Sequence, residues 1–457
     1  KYLAFTVTEP DTGVKFCFKD SLGFMSSGLA DLTFNLAHAR DISIEKRHAN
    51  LIKEYPEVYN SLTRKGSYPY SAVRTDNLTI FDKNELPPKD CFEPENLRKG
   101  AIVEIPSTLE GRRIEGAFCE VQEVDDCKVV AENIDTQETF NIQREKAKQV
   151  GYQWAQEVYH RTGCTSFYDY HMLYLKTDVL HLADVFEQFR SLMLDVYKLD
   201  PAHYFTTPNF GWEAMLKYCF KGKPKEELIE LLDNEEIFNF FERQKRGGLS
   251  TARTRYAEAN NPKCPNFNPT QPESYIKYVD ANNLYGHAMV RPLPLNGFRW
   301  VTENEIKKVW KLLNSIDSED ELPEETGYTL EVDIDYPTHL HDKHSQYPLL
   351  PVPRTVDYEE LSPWQTRQLE NLGIKHNGKT GKLIADLHNK RHLVLDIRML
   401  KFAMRQGLEL KCIHRGVTYK QSRWLEPFIK KNTEMRAEAT NEFEKSLWKL
   451  MSNSVYG

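Results

Sequence analysis

The stretch Lys449–Gly457 reads Lys-Leu-Met-Ser-Asn-Ser-Val-Tyr-Gly. Lys449, Asn453 and Tyr456 stand at positions i, i+4 and i+7, so in a helix a cation, an amide and an aromatic ring share one face. A triphosphate group requires a cation, and a sugar or base packs on a flat ring. The spacing therefore predicts a helix with a nucleotide-binding face.

A second informative stretch, Asp280–Gly286, reads Asp-Ala-Asn-Asn-Leu-Tyr-Gly and follows the run Tyr275–Val279. The aromatic and β-branched residues of that run predict a β-strand, so Asp280 would lie at the strand's carboxyl end. Tyr285 would follow one turn later. A divalent ion held by such a carboxylate neutralises charge on a transferring phosphoryl group. Together the two stretches predict the metal-binding strand and nucleotide-binding helix of a nucleic-acid polymerase.

Both stretches resemble signature motifs of the family B DNA polymerases. The pattern Lys-x-x-x-Asn-Ser-x-Tyr-Gly at 449–457 resembles motif B residue for residue, and Asp-x-x-x-Leu-Tyr at 280–285 resembles motif A. Asn283 stands where a Ser is usual and Gly286 where a Pro is usual, but the Asp and the Tyr are kept. Motif A, followed by Arg-Pro-Leu-Pro at 291–294, is similar to the protein-primed branch, which includes organellar, viral and Polinton-Maverick transposon enzymes.

Upstream segments resemble other parts of the same family. Tyr174 and Asp178 resemble the third motif of its 3′–5′ proofreading exonuclease, which lies on a helix. An apolar stripe at spacings of three and four predicts that helix and its buried face; it consists of Leu175, Val179, Leu182, Phe186, Phe189, Met193 and Val196. Ser21 and Leu22 resemble a segment that contacts single-stranded DNA. Arg246–Gly248 resembles the linker between the exonuclease and polymerase domains, without the Tyr that usually opens it.

The resemblance implies an α+β multidomain fold. An RNase H-like 3′–5′ exonuclease domain, present in part, would precede a partial polymerase palm and fingers. Four or five short strand-like runs between 101 and 142 predict a small β-barrel-like insert. The implied boundaries are 1–200 for the end of the exonuclease domain, interrupted by the insert at 95–150; 201–260 for a connecting region; 261–425 for the palm, with a terminal-protein-region-like insertion at about 327–400; and 426–457 for a truncated fingers helix.

The same resemblance implies a function. The family's enzymes add dNTPs to a primer by two-metal phosphoryl transfer and proofread with the exonuclease. The residues that match its catalytic positions are Asp280, Lys449, Tyr174 and Asp178, of which Asp280 and Asp178 would bind Mg²⁺ or Mn²⁺. The residues that match nucleotide-binding positions, or lie on the same basic helices, are Leu284, Tyr285, Arg436, Lys445, Lys449, Asn453 and Tyr456. The residues that match DNA-binding positions are Ser21, Leu22, Arg246, Gly247, Gly248 and Gly457.

Composition agrees with a multidomain nucleic-acid enzyme. The length of 457 residues predicts roughly two to four domains, and no apolar run approaches the ~20 residues that cross a bilayer. Net charge is −7, yet residues 391–457 carry a surplus of six positive charges, where template and triphosphate would bind. The eight cysteines include no Cys-x-x-Cys pair. Cys412 and His414 are two potential ligands without a second pair, so no metal site is predicted there.

Several alternatives remain open at this stage. Neither the first two exonuclease motifs nor the polymerase motif C is found, so the chain is expected to be an internal fragment. A reverse transcriptase or RNA polymerase would share a palm, although the motifs favour synthesis from a DNA template. A catalytically inactive relic would only bind DNA or a priming protein. The expected partners are primer-template DNA, dNTPs and, as the protein-primed resemblance implies, a terminal priming protein, with no membrane; the location would be intracellular, in a nucleus or at a viral replication site.

Overall fold

The computed structural model describes residues 4–25, 27–39, 41–74, 76–92, 151–250, 256–281, 283–375 and 381–456, together with the backbone of the strands and helix within 102–150. The chain divides into two compact units. Unit 1 combines residues 1–219 with 427–457, and unit 2 comprises residues 220–426. Among the described residues, no helix has both the length and the apolar character that crossing a membrane requires.

Unit 1 is built mainly from helices. Its strands in the described residues are β1 (Ala4–Thr8), β2 (Lys15–Lys19), β3 (Ile102–Glu104), β4 (Thr108–Leu109), β5 (Arg112–Arg113), β6 (Phe118–Val124), β7 (Lys128–Asn133) and β8 (Thr139–Gln143). Its helices up to the unit boundary are α1 (Leu29–Ala37), α2 (Ile44–Arg47), α3 (Ala49–Glu54), α4 (Arg144–Arg161), α5 (Phe167–Tyr197) and α6 (Thr207–Phe220).

The long helix predicted around Tyr174 is α5. It begins at a capping box in which Ser166 and Asp169 satisfy each other's backbone N–H groups, and it ends before Lys198, whose φ of 55° is left-handed. The predicted buried face is wrong in part. Leu175 and Val179 are exposed, because the face turned to the core lies about one position away. It carries Tyr170, Leu173, Thr177, His181, Asp184, Val185, Phe189 and Met193.

Polar residues on α5 are buried because they have local partners. The Asp184 carboxylate accepts hydrogen bonds from the backbone N–H groups of Asn50 and Leu51 and from the Asn50 amide. These N–H groups belong to the first turn of α3, where helical N–H groups lack intrahelical acceptors. Asp184 therefore fixes α3 against α5, which a count of apolar residues does not reveal.

The insert predicted at 95–150 contains the expected strands. They form a four-stranded antiparallel sheet in the order β3-β6-β7-β8, and β4 pairs with β5. In the pairings that the structure describes, β3 and β8 lie at opposite edges of this sheet, and the barrel-like form predicted for the insert stays a prediction. A bulge interrupts the β6–β7 pairing between Val121 and Glu123.

Unit 2 is organised around a four-stranded antiparallel sheet in the order β13-β10-β14-β9. Its strands are β9 (Leu293–Trp300), β10 (Thr326–Asp335), β11 (Val352–Arg354), β12 (Lys382–Ile384), β13 (Lys390–Asp396) and β14 (Glu409–Ser422). Its helices among the described residues are α7 (Glu235–Glu242), α8 (Leu284–Met289), α9 (Glu303–Ser315), α10 (His341–His344), α11 (Pro363–Asn371) and α12 (Ile397–Arg405). The remaining helices, α13 (Glu426–Glu438) and α14 (Glu442–Ser454), lead into and lie in the returning segment of unit 1.

The side chains of strand β10 alternate between the two faces of this sheet. Apolar and acidic residues alternate along β10: Leu330, Val332 and Ile334 are fully buried in the core of unit 2. Glu331, Asp333 and Asp335 alternate with them and point to the opposite face. We refer to these three carboxylates and their partners as the acidic face of β10.

The strand predicted at Tyr275–Val279 is absent. These residues belong to neither a helix nor a strand, and all of them are exposed; Tyr278 is 96% exposed. A strand requires a neighbouring strand for its backbone hydrogen bonds, and none pairs with this segment in the described part of unit 2. Local composition alone therefore predicted an element that the fold does not form.

Candidate nucleotide, metal and DNA sites

Helix α14 presents the motif B residues on one exposed face. Glu442, Lys449 and Asn453 are exposed, and Tyr456, just beyond the helix, is 60% exposed. Lys445 lies on the same face, but its ammonium group pairs with Glu442 at 2.7 Å. The cation, amide and ring predicted to share a face therefore do so, with Lys449 as the more available cation.

The opposite face of α14 is anchored in unit 1, and it contains Phe443, Leu447, Trp448, Met451, Ser452 and Ser454. The Trp448 ring lies 6.4 Å from that of Tyr197 on α5. At the start of the helix, the Asn441 side chain accepts from the Glu444 N–H at 2.9 Å and donates to the Asp41 carboxylate at 3.0 Å. Capping and burial thus hold the exposed face in a fixed orientation.

Arg436 lies on α13, one helix before α14, and is exposed. Both helices therefore contribute surface cations to the same segment of unit 1. Gly457 lies outside the described residues. In unit 1, the structure thus brings together Lys445, Lys449, Asn453 and Tyr456.

The motif A residues lie in unit 2, in the turn that begins α8. Asp280 is exposed, and Leu284 and Tyr285 at the start of the helix are 62% and 49% exposed. A carboxylate oxygen is the ligand type that Mg²⁺ or Mn²⁺ prefers. Asp280 fits as one such ligand, and it belongs to no group of three or more potential ligands in the described residues.

The two departures from the usual motif A touch each other. Asn283 precedes α8 with a left-handed φ of 54°, a conformation that Asn tolerates better than most residues. Its side chain lies over Gly286: a Cβ added to Gly286 would lie 2.6 Å from Asn283 Cγ. Asn283 and Gly286 therefore form one packing arrangement, because the Asn amide fills the space that a side chain at 286 would need.

Tyr174 and Asp178 on α5 lie beside a tyrosine-rich segment of unit 1. The Tyr174 hydroxyl is 2.8 Å from that of Tyr70, and its ring is 4.6 Å from that of Tyr68. Burial is the main cause that raises the pKa of Tyr68 to about 12, and the nearby Tyr70 adds to this effect. The Asp178 carboxylate lies 3.9 Å from the Lys65 ammonium.

Lys65 and Tyr70 were not selected from the sequence. They lie more than 100 residues before Asp178 and Tyr174, so no local spacing links the pairs. In the sequence, Gly66 was the residue that could have indicated a close approach of this segment to α5. A Cβ at Gly66 would lie 2.7 Å from the Trp154 ring and 3.3 Å from that of Tyr174, so the close approach of this segment to α5 requires glycine.

The predicted DNA-binding residues lie in different settings. Ser21 is half-buried at the start of a 3₁₀ turn that includes Leu22, and the Leu22 side chain lies outside the described part. The Arg246 guanidinium donates to the backbone oxygens of Gln244 and Val394 at 3.0 and 2.8 Å, so it holds its own loop to β13. Its burial lowers the pKa of Arg246.

Gly247 and Gly248 are exposed and have nothing within 4 Å of an added Cβ. Neither has a positive φ. The described part of the chain therefore gives no conformational or packing reason for glycine at these positions.

Comparison with known proteins identifies a family. The profile of the DNA polymerases of type B, organellar and viral, matches residues 114–457. This match confirms the resemblance read from the motifs. No curated protein sequence matches the chain.

Among solved structures, similar chains include phi29 DNA polymerase in an orthorhombic crystal form, with 16% identity and a TM-score of 0.35. Another is the ternary complex of phi29 DNA polymerase with primer-template DNA and incoming nucleotide, with 15% identity and a TM-score of 0.35. Each alignment covers 63% of the present chain and 40% of the phi29 chain. The chain thus spans less than half the length of these structures.

Proposed function

We propose that this chain, which belongs to the organellar and viral type B DNA polymerases, is part of an enzyme that adds dNTPs to a primer on a DNA template. The exposed Lys449, Asn453 and Tyr456 face of α14 carries the proposal. Its position inside the family match, with the opposite helix face fully buried, supports a rigid surface for the incoming nucleotide.

Each residue of that face has a distinct chemical capacity. The Lys449 ammonium would stabilise negative charge on the β- and γ-phosphates, because a preorganised cation does not have to reorganise during the reaction. Asn453 and Tyr456 would line the nascent base pair, the ring offering a flat apolar surface. Lys445 would contribute less than Lys449, since Glu442 already neutralises part of its charge.

In unit 2, Asp280 would supply one carboxylate ligand to Mg²⁺ or Mn²⁺. Such an ion, when bound, neutralises charge on the phosphoryl group. Leu284 and Tyr285 would pack beside the sugar of the nucleotide, and the bulk of the Tyr285 ring would exclude a 2′-hydroxyl. Both side chains have the exposure that such a contact requires.

We assign a proofreading exonuclease contribution to the Tyr174 and Asp178 cluster of unit 1. Asp178 would hold a metal ion, and Tyr174 would orient the attacking water. Lys65, 3.9 Å from Asp178, would place positive charge next to the scissile phosphate. Ser21, Leu22 and Gly247–Gly248 would contact DNA. Priming by a terminal protein, bound through the insertion at about 327–400, completes the proposal.

The inactive-relic alternative predicts DNA binding without synthesis, so the deciding experiment measures nucleotide use. In primer extension by the protein that carries this chain, Lys449→Ala should raise KM for dNTP and lower kcat. The loss in kcat/KM should exceed that of Lys431→Ala, a half-buried lysine on α13, by about tenfold or more, which is ~1.4 kcal/mol at the barrier.

The control separates specific from general electrostatics, because both variants remove one positive charge from the same segment. Equal losses would remove Lys449 from the nucleotide site. Absence of any template-dependent extension by a folded wild-type protein with dNTPs and Mg²⁺ would favour the relic.

A further inference from the structure

A group of potential metal ligands lies on the acidic face of β10, outside the polymerase and exonuclease motifs. It includes His414, where the sequence alone predicted no metal site. Asp333 on β10, His392 on β13 and His414 on β14 each offer one ligand atom, and these atoms all lie within 4.8 Å of one another. We propose that Asp333, His392 and His414 bind one transition-metal ion of the Zn²⁺ class. This proposal is independent of the polymerase function.

The separation of Asp333 and His414 matches that of two ligands of one ion. His414 Nε2 lies 3.0 Å from Asp333 Oδ1, close to the separation of about 3.3 Å between two ligands of one tetrahedral zinc ion. The two imidazole rings are stacked, with centroids 4.2 Å apart and an interplanar angle of 19°. The lone pair of a ring nitrogen lies in the ring plane, so one ring has to turn about its Cβ–Cγ bond before both rings can bind the same ion. The three residues come from adjacent strands of one sheet, so rigid elements support all three ligands.

The residue behind His392 fixes the orientation of its ring. His392 Nδ1 lies 3.0 Å from Glu331 Oε1, which leaves Nε2 for an ion. A carboxylate that accepts from the second ring nitrogen is the usual support of a metal-binding histidine. Glu331 is itself held by Arg415 at 2.7 Å and Arg243 at 3.0 Å, so its position is well determined.

The backbone at His392 is also unusual. Its φ is 49°, and the β10–β13 register shifts between Val332 and Ile334, which places a bulge opposite Asp333. The bulge turns the His392 N–H toward Asp333 Oδ1 at 2.9 Å. Bulges re-aim side chains and are over-represented next to functional sites.

The neighbouring carboxylates are neutralised by cations, whereas Asp333 is not. Asp335 pairs with Arg391 at 2.6 Å and Lys411 at 3.7 Å, and Glu331 pairs with two arginines. In the described residues, the partners of Asp333 are a backbone N–H and an imidazole. An ion at this position would face no ammonium or guanidinium group paired with its carboxylate.

The ligand set selects the class of ion. Two imidazoles and one carboxylate suit Zn²⁺ and related transition metals, whereas Mg²⁺ prefers oxygen ligands. Three protein ligands leave one position for water or a donor from a partner. Cys412 lies outside the ligand group, with its Sγ 3.8 Å from His414 Nδ1. His392 has a side-chain exposure of 62%, so an ion can enter from solvent.

The test measures metal affinity of the intact chain. Titration with Zn²⁺ against a chromophoric chelator should show one tight ion per chain, which millimolar Mg²⁺ does not displace. His392→Ala should weaken binding by about 100-fold or more. Glu331→Gln should weaken it by about 10- to 100-fold, the range for loss of a supporting partner.

The matched control is His388→Ala, which removes an exposed imidazole 3.6 Å from the Asp386 carboxylate but outside the ligand group. This variant should bind Zn²⁺ as the wild type does. Circular dichroism verifies folding of each variant. Equal affinity of the wild type and a folded His392→Ala variant, or no stoichiometric Zn²⁺ binding by the wild type, would overturn the proposal.

Discussion

At the scale of single residues, substitution of Tyr285 best distinguishes a nucleotide-binding side chain from one that only packs in the fold. Its ring is 49% exposed, so it can contact a ligand from the start of α8. Tyr285→Ala should increase ribonucleotide incorporation relative to deoxynucleotide incorporation by about tenfold, or ~1.4 kcal/mol, because the ring would occupy the space of a 2′-hydroxyl. Tyr285→Phe should stay selective. Incorporation of rNTP and dNTP is measured on one template.

A tyrosine that served only as packing would behave differently. Its truncation would destabilise the fold by a few kcal/mol and reduce the use of both sugars alike. A melting curve for each variant separates these cases. An unchanged sugar ratio in a folded and active Tyr285→Ala variant would contradict the assignment.

At the scale of elements, the start of α8 depends on the contact between Asn283 and Gly286. Gly286→Ala should destabilise unit 2 by about 1 kcal/mol, because its new Cβ would collide with the Asn283 side chain. Asn283→Gly suits the positive φ and removes that side chain. The double variant should therefore lose less stability than the sum of the single changes, with a coupling of 0.5 kcal/mol or more. Urea unfolding of the four proteins measures this coupling, and strict additivity would contradict the contact.

The elements also show what sequence predicts and what it does not. The α14 face was predictable because its determinants lie within eight residues and follow the helical period. The absence of a strand at 275–279 was not predictable, since a strand forms only beside a partner strand, and local composition does not show whether one is present. On α5 the predicted face was partly wrong because buried Asp184 and His181 interrupt the apolar pattern. Asp333, His392 and His414 come together only through sheet pairing, so the local spacing of Cys412 and His414 could not indicate the other two ligands.

At the scale of the whole molecule, buried histidines make the stability of unit 1 sensitive to acid. Burial is the main cause that lowers the pKa of both His48 and His181 to about 4. For His48, the charges of His181 and Arg47 lower the pKa further; for His181, hydrogen bonds with the backbone of Arg64 and Leu62 oppose the effect of burial. The unfolded rings take up protons near pH 6.5, so unfolding is favoured as pH falls from 6.5 toward 4.

The expected loss between pH 7.5 and 5 is about 2 kcal/mol per ring. Asp184 acts in the opposite sense. Burial raises its pKa against the hydrogen bonds from Asn50 and Leu51, so it favours folding as pH falls in the range just above its ordinary value. Urea midpoints at the two pH values should differ less in His181→Gln than in the wild type. The exposed His160→Gln should match the wild type, and equal pH dependence in all three proteins would contradict the prediction.

The unpaired segment 275–281 is also expected to be an early site of protease cleavage. Its tyrosines are exposed, and in the described part of unit 2 the segment pairs with no strand; such irregular, exposed segments are preferred sites of proteolytic cleavage. Brief digestion with chymotrypsin should therefore cut after Tyr278 before it cuts after the buried Tyr336 or Tyr419. Addition of primer-template DNA and dNTP should slow that first cut if ligands cover motif A. Mass spectrometry of the fragments would locate the site, and early cleavage confined to other tyrosines would contradict this consequence.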